Sequence, residues 1–187
     1  MLVLRASGLH VDRGGRQVLA GVDLELHAGE VLVLHAPARA GKSTLLAALM
    51  GLIGASSGTI ERHGRLALAM QSPDFPRPTP RACLKLALAW WRAPPHEHAE
   101  RIATALAALD IEQLADRPVA YLAPGERRRV HIARALALRA DAVLLDDPFA
   151  GLDPPTRDAL IADTLAAIDT ALITVTDPTT LKGARPL

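Results

Sequence analysis

The sequence has few aromatic residues, a single cysteine and almost no net charge. Aromatic residues make up 3% of the 187 residues and hydrophobic residues 50%, so we expect a core of leucine, alanine and valine. The formal net charge of +1 excludes a field strong enough to make nucleic acid or an anionic membrane the main partner. Cys83 cannot form an internal disulfide, which suits a reducing compartment.

Long hydrophobic runs are also lacking. Every apolar run is well short of the roughly 20 residues that span a bilayer. Arg5 interrupts an N-terminal apolar run that is already too short for a secretory signal. We therefore expect a soluble, cytoplasmic protein whose membrane work, if any, is done through a partner. The length fits one domain with a sizeable core.

Short apolar runs alternate with helical patterns along the chain. Residues 1–30 show the alternation of half-buried strands, and continuous runs at 31–35, 66–70, 142–147 and 171–175 predict buried strands. Apolar residues recur at helical spacing in three later segments, as Ile102/Leu106/Leu109, Val130/Ala133/Ala137 and Ile161/Leu165/Ile168. The proline-rich stretch from Ser72 to Arg81 predicts a loop. Strands that alternate with helices indicate an α/β fold with a parallel sheet.

The stretch "LHAPARAGKSTLLAAL" (34–49) predicts a phosphate-binding loop. Gly41-Lys42-Ser43-Thr44 follows a strand and opens a helix, so backbone N–H groups at the helix N-terminus face the phosphates. Lys42 can reach the terminal phosphates, and the Ser43 hydroxyl can bind Mg²⁺. Asp146, at the end of a buried strand, can hold the Mg²⁺ shell. Together these residues predict a nucleotide site.

Four further segments occur in the order found in one family. "QSPDFP", "YLAPGERRRVHIARALAL", "LLDDPFAGLD" and "ITVTDP" resemble the motifs of ATP-binding cassette (ABC) ATPases. The resemblance extends from about Gly8 to Asp177. It implies a P-loop NTPase parallel-sheet core with an N-terminal antiparallel β subdomain and an inserted helical subdomain. The expected organisation is one ABC ATPase domain over 1–187, with core residues 1–75 and 139–187 and a helical subdomain at about 76–138.

The resemblance also implies the site residues. In ABC ATPases two subunits bind two ATP molecules head to tail, each between the phosphate-binding loop of one subunit and the signature of the other. The implied ATP-binding residues are Arg13, at the adenine-stacking position, Pro37, Ala38, Arg39, Ala40, Gly41, Lys42, Ser43 and Thr44 of the loop, and Ala123 and Gly125 of the signature. The implied Mg²⁺ residues are Ser43, Gln71 and Asp146. The implied catalytic residues are Asp147, Gln71 and Thr176.

Several of these positions depart from the family pattern. Ala36 and Arg39 replace loop glycines, and a left-handed backbone at Ala36 would cost roughly 1–2 kcal/mol. Ala123 lacks the signature hydroxyl, and the neighbouring proline and glutamate remove an N–H and add a negative charge. Asp147 replaces a glutamate and Thr176 a histidine, which withdraws a carboxylate and removes a γ-phosphate contact. We expect binding to survive better than hydrolysis.

The sequence therefore predicts an ABC transporter ATP-binding subunit that binds ATP and Mg²⁺ with weakened hydrolysis. The expected partners are a membrane-spanning transporter subunit and a second ABC ATPase subunit, in a homo- or heterodimer, with no nucleic acid. The expected location is the cytoplasmic face of the cell membrane, through the partner. Its short chain and signature region are similar to the ATP-binding subunits of haem exporters for cytochrome c maturation. Two alternatives remain open: a non-hydrolysing nucleotide-binding scaffold, and a soluble ABC ATPase that acts on nucleic acid or in cluster assembly.

Two smaller features also receive an interpretation. For the pair Trp90 and Trp91, the interpretation is that one ring packs in the core of the helical subdomain and the other contacts a membrane partner, with the core role held first. Arg127, Arg128 and Arg129 are expected to have a structural or solvated role rather than to bind nucleic acid.

Overall fold

The computed structural model describes residues 1–71, 75 and 78–187. These residues form two compact units. The first contains Met1–Gln71, Asp141–Pro148 and Asp169–Leu187, and the second contains the described residues of Ser72–Ala140 and Phe149–Ile168. The division of the chain at residues 75 and 138 stays a prediction; in the structure, residues 149–168 belong to the second unit.

An antiparallel sheet lies at the start of the first unit. Its strands are β1 (Leu2–Arg13), β2 (Arg16–His27) and β4 (Ser57–Arg62), in the order β2-β1-β4. Strand β2 buries Leu24 and Leu26 and exposes the residues between and beside them, as the alternation predicts. Strand β4 was not predicted from the sequence, because only Ile60 of its six residues is even half-buried.

The second sheet of this unit is parallel. Its order is β5-β6-β7-β3-β8, with β3 at Val31–His35, β5 at Leu66–Ala69, β6 at Ala142–Asp146, β7 at Ala171–Val175 and β8 at Arg185–Pro186. Strands β6 and β7 are buried along their full length, which explains why continuous apolar runs identified them. Strand β8 has two exposed residues and carries no such signal. The predicted parallel-sheet core with an N-terminal antiparallel sheet is confirmed.

Helix α1 (Lys42–Leu49) connects the phosphate-binding loop to the core of the first unit. It buries Leu45, Leu46 and Leu49 completely, within a cluster built from leucine, alanine and valine. At its C-terminus the Arg62 guanidinium donates to the carbonyls of Leu49 (2.5 Å) and Ala48 (2.9 Å). The Leu49 carbonyl has no partner within the helix, the Ala48 carbonyl also accepts from the Gly51 N–H at 2.9 Å, and the cation suits the negative end of the helix dipole.

The second unit is helical. Its α-helices are α2 (Pro80–Trp90), α3 (His98–Ala107), α4 (Pro124–Leu136) and α5 (Pro154–Ala167), with short 3-10 turns at Pro95–Glu97, Glu112–Leu114 and Val119–Tyr121. Thr79 caps α2, its hydroxyl accepting a hydrogen bond from the Ala82 N–H at 3.3 Å. The predicted loop at 72–81 was too long, because proline at the first helical position starts a helix. Residues 72–74, 76 and 77 of that loop lie outside the described residues.

The predicted core position is wrong for Trp90, whereas the helix predicted from Ile161, Leu165 and Ile168 is present as α5. Trp90, the last residue of α2, is 78% exposed, and the neighbouring Trp91 is half-buried. In α5 the fully buried residues are Leu160 and Thr164, whereas Leu165 is 39% exposed. Apolar residues occur on more than one side of α5, so the spacing alone did not fix its buried face, and a one-residue error rotates that face by about 100°.

Within the described ranges, no helix is long and apolar enough to cross a membrane.

Candidate functional site

A cavity of about 280 Å³ opens in the first unit, beside the loop that leads into α1. It brings together residues from five separate segments of the chain. Its lining consists of Val18, Ala38, Arg39, Gly41, Lys42, Ser43, Thr44, Gln71, Asp146, Asp147 and Thr176. Most of the predicted loop residues and all the predicted metal and catalytic residues therefore line one cavity.

Gly41 is the N-cap residue of α1, and a larger residue there would displace the side chains of Val18 and Leu19. Its φ of 98° is in the region that favours glycine, and a Cβ there would lie 2.9 Å from Leu19 Cδ2 and 3.1 Å from Val18 Cγ1. Lys42 and Ser43 follow it as the first residues of α1. The N–H groups of this first turn have no partner within the helix, so they can bind an anion.

Lys42 folds back over the loop. Its side chain is 7% exposed, and its ammonium donates to the carbonyls of Ala36 (2.8 Å) and Pro37 (3.0 Å). These bonds hold the loop around the charge and use two of the three ammonium donors. The third donor remains for a phosphate oxygen.

The Asp146 carboxylate is held by two hydroxyl groups. Ser43 Oγ donates to Asp146 Oδ2 at 2.6 Å, and Thr174 Oγ1 donates to Asp146 Oδ1 at 3.2 Å. Asp146 is 2% exposed, and in the described part of the chain no basic side chain forms an ion pair with it. A buried carboxylate without a cationic partner, beside a hydroxyl, is a donor set that fits Mg²⁺. Ser43 and Asp146 would hold the ion, which would neutralise phosphate charge.

Asp147 occupies an unusual backbone position. Its φ is 47°, and its N–H donates to the Thr174 carbonyl at 2.9 Å. Both carboxylate oxygens accept hydrogen bonds from Thr176, Oδ1 from the backbone N–H at 3.2 Å and Oδ2 from the hydroxyl. Asp147 is 5% exposed. The two residues predicted to act on the γ-phosphate therefore contact each other directly.

The strained loop position is Arg39, and the left-handed backbone considered for Ala36 does not occur there. Ala36 does not adopt the left-handed backbone, whereas Arg39 has a φ of 67°. A side chain in this region costs roughly 1–2 kcal/mol. Arg39 lines the cavity, and its guanidinium makes no hydrogen bond or ion pair with any residue that the structure describes.

Other predicted binding residues lie elsewhere. Arg13 is exposed at the end of β1, opposite Arg16 across a two-glycine turn, and does not line the cavity. Val18 lines the cavity but was not predicted from the sequence. Pro37 contributes its carbonyl to Lys42, and neither it nor Ala40 is part of the lining. The roles of these residues toward ATP stay predictions.

The signature residues Ala123 and Gly125 lie in the second unit, at the start of α4. The Glu126 carboxylate accepts a hydrogen bond from the Ala123 N–H at 2.7 Å, so its charge is engaged at the N-terminus of its own helix. A Cβ on Gly125 would lie 2.6 Å from Thr156 Cγ2 in α5. Close packing of α4 on α5 therefore requires glycine at this position.

Helix α5 is capped by Asp153, whose Oδ1 accepts a hydrogen bond from the Thr156 N–H at 3.1 Å. Hydrogen bonds from the Thr156 side chain and backbone hold the pKa of Asp153 below its usual range. Two of the arginines after the signature also hold backbone within this unit. Arg127 donates to the Leu122 carbonyl (3.1 Å), and Arg129 to the Leu109 carbonyl (2.7 Å), which is the structural role expected.

Comparison with known proteins identifies the family. Residues 19–150 match the ABC transporter family. The chain is 37% identical over 201 residues to the hemin import ATP-binding protein HmuV of Rhodococcus jostii (strain RHA1), covering 98% of this chain and 69% of that protein. It is 41% identical over 150 residues to the cytochrome c biogenesis ATP-binding export protein CcmA of Zymomonas mobilis subsp. mobilis (strain ATCC 31821 / ZM4 / CP4), covering 80% and 66%.

A solved structure, an inward-facing conformation of a transporter described as of the metal-chelate ABC type, superposes with a TM-score of 0.86. It is 22% identical and covers 99% of this chain and 78% of that one, which supports the fold. The chain belongs to the ABC transporter family, and its relatives are ATP-binding subunits. The resemblance to the ATP-binding subunits of cytochrome c maturation is confirmed.

Proposed function

We propose that this chain binds Mg-ATP in the α1 cavity and, at a dimer interface, drives a separate membrane-spanning partner, with weakened hydrolysis. The observation that carries the proposal is the convergence of Lys42, Ser43 and Asp146 on one cavity at a helix N-terminus. A buried ammonium, a hydroxyl and a carboxylate without an ion pair among the described residues suit a polyphosphate bound together with a divalent cation. Arg39 supplies a second cation to the phosphates.

Weakened hydrolysis is supported by the Asp147–Thr176 contact. A carboxylate that positions an attacking water must direct an oxygen lone pair at that water. Here the carboxylate is shorter by one methylene than glutamate, and Thr176 donates to both of its oxygens, which fixes its orientation toward that residue. The threonine also cannot replace an imidazole as a donor to the γ-phosphate, and a lost donor of this type typically costs about 10²–10³ in rate.

The partners follow from the family. The signature of ABC ATPases contacts the ATP of the other subunit, so Ala123 and Gly125 would serve a second ABC ATPase subunit. The relatives' names place them in import and export systems, which supports a membrane-spanning partner for this chain too. The proposed location is therefore the cytoplasmic face of the cell membrane, held there by that partner.

Calorimetric titration of the protein with Mg-ATP tests the proposal. Lys42→Ala should weaken binding by at least about tenfold, because hydrogen bonds to charged groups are worth about 1.5–3 kcal/mol. Lys85→Ala is the matched control: Lys85 is an exposed lysine of α2 that does not line the cavity. Equal affinities of wild type and Lys42→Ala would contradict the proposal.

A second candidate function is a nucleotide-binding scaffold that supports a membrane complex without turnover. The Asp147–Thr176 contact favours it, because the two Thr176 donors hold that carboxylate in one orientation. Steady-state ATP hydrolysis by the protein and by its complex with a membrane-spanning partner separates the two. The transport proposal predicts slow phosphate release that the Lys42→Ala variant lacks, whereas the scaffold predicts equal background rates for both.

A further inference from the structure

Thr174 is a hydroxyl-bearing residue in the middle of the buried sheet. It is 0% exposed, as are Ile173 and Val175 on either side of it in β7. Valine has nearly the same shape, suits a strand equally well and has no hydroxyl to remove from water. The hydroxyl at this position therefore requires an explanation beyond packing.

The Thr174 hydroxyl joins the two acidic residues at the end of β6. The register of β6 and β7 pairs Asp146 with Thr174. Thr174 Oγ1 lies 3.2 Å from Asp146 Oδ1 and 3.4 Å from the Leu145 carbonyl, and it accepts from the Asp147 N–H at 3.3 Å. A hydroxyl has one proton, and the closer acceptor is the charged one, so the carboxylate receives it.

We propose that Thr174 is a positioning residue for the divalent cation of the ATP site. By holding Asp146 Oδ1, it fixes the carboxylate so that Oδ2, the oxygen that Ser43 contacts, is available to the ion. The inference rests on the proposed binding of Mg-ATP. It concerns Asp146 alone, because the Asp147 N–H keeps its 2.9 Å bond to the Thr174 carbonyl when the hydroxyl is removed.

Loss of the hydroxyl should affect the metal more than the nucleotide. Removing an outer partner of a metal ligand typically lowers metal affinity about 10–100-fold. The loop and the Lys42 ammonium, which bind the phosphates, make no hydrogen bond to Thr174 in the described structure. The affinity for metal-free ATP should therefore stay near that of wild type.

The measurement is the affinity for ATP in saturating MgCl₂ divided by the affinity in EDTA, by fluorescence titration. Thr174→Val should lower this ratio by about tenfold or more, and Thr174→Ser, which keeps the hydroxyl, should restore most of it. Thr164→Val is the matched control, because Thr164 is also 0% exposed and does not line the cavity. Circular dichroism checks folding, and Thr174→Ala, also without a hydroxyl, replaces Thr174→Val if that variant does not fold.

Three results would overturn the inference, and they are distinguishable. An unchanged ratio in Thr174→Val, with normal Mg-ATP binding by wild type, would overturn the role of Thr174 alone. Absence of any ATP binding by wild type would overturn the proposed function and this inference with it. A lower ratio in both Thr174→Val and Thr174→Ser would assign the effect to packing and also contradict the proposal.

Discussion

Thr176 donates hydrogen bonds to both carboxylate oxygens of Asp147, one from its backbone N–H and one from its hydroxyl. Two residues earlier on the same strand end, Thr174 donates to the neighbouring carboxylate of Asp146. Each acidic residue at the end of β6 thus has its own threonine partner. Asp146 Oδ2 accepts from Ser43 of the phosphate-binding loop, whereas both Asp147 oxygens accept from Thr176. This difference underlies the proposal that binding is preserved better than hydrolysis.

Replacing Arg39 with glycine tests both the strain and the charge at this position. Arg39→Gly should raise the free energy of unfolding of the nucleotide-free protein by about 1 kcal/mol, because glycine adopts a φ of 67° without penalty. It should lower ATP affinity by about tenfold, because a guanidinium donor to the phosphates is lost. Chemical denaturation and calorimetry measure the two effects.

Asp110→Gly is the matched control for that variant. Asp110 is exposed, has a φ of 52° and does not line the cavity. The Asp110→Gly variant should also have a higher free energy of unfolding than wild type, but its ATP affinity should not change. A rise in ATP affinity in Arg39→Gly would instead mean that the side chain crowds the loop.

The effects of substitutions at Gly125 and Thr156 on the free energy of unfolding should be coupled. Gly125→Ala places a Cβ 2.6 Å from Thr156 Cγ2, and overpacking of this kind costs about 1–3 kcal/mol, partly offset by the better helix propensity of alanine, about 1 kcal/mol. Adding Thr156→Ser removes that methyl group and keeps the hydroxyl and the N–H at the Asp153 cap. A double-mutant cycle of unfolding free energies should therefore show the double variant to be more stable than Gly125→Ala. Simple additivity of the two changes would contradict the contact.

The cap of α5 should make stability depend on pH. The folded pKa of Asp153 is lowered, so its stabilisation is present above the unfolded carboxyl pKa of about 4 and is lost as the pH falls through the folded value. The difference in melting temperature between wild type and Asp153→Ala should shrink between about pH 6 and pH 2. The difference between Asp153→Asn and Asp153→Ala should stay constant, because neither variant titrates there. If the difference in melting temperature between wild type and Asp153→Ala did not depend on pH, the role of this carboxylate would be contradicted.

The sequence predicted the parallel sheet and the position of the nucleotide site, because both leave local signals. Strands β3, β6 and β7 are continuous apolar runs, and the Gly-Lys-Ser-Thr motif opens a helix directly after one of them. Strand β4 could not be predicted in this way, because it is exposed and its place depends on pairing with β1, far away in the sequence.

Backbone conformation and long-range contacts in the site left weaker signals. The family pattern has glycine at the positions of Ala36 and Arg39. The sequence does not indicate which of the two adopts the left-handed backbone, whereas in the folded structure it is Arg39. The contact between Asp147 and Thr176 joins residues 29 positions apart through the ends of two strands. Thr174 did leave a signal, a lone hydroxyl residue inside the run "ALITV", but its partner is visible only in the strand register.

The central claim, that hydrolysis is impaired more than binding, is tested by restoring the two altered residues together. Asp147→Glu with Thr176→His should raise the rate of ATP hydrolysis at saturating Mg-ATP by at least about tenfold, because transition-state contacts return. The affinity for Mg-ATP should change little, and Asp147→Asn with Thr176→His, which lacks the carboxylate, should show no gain. An unchanged rate together with a shifted affinity would contradict the account and favour the scaffold.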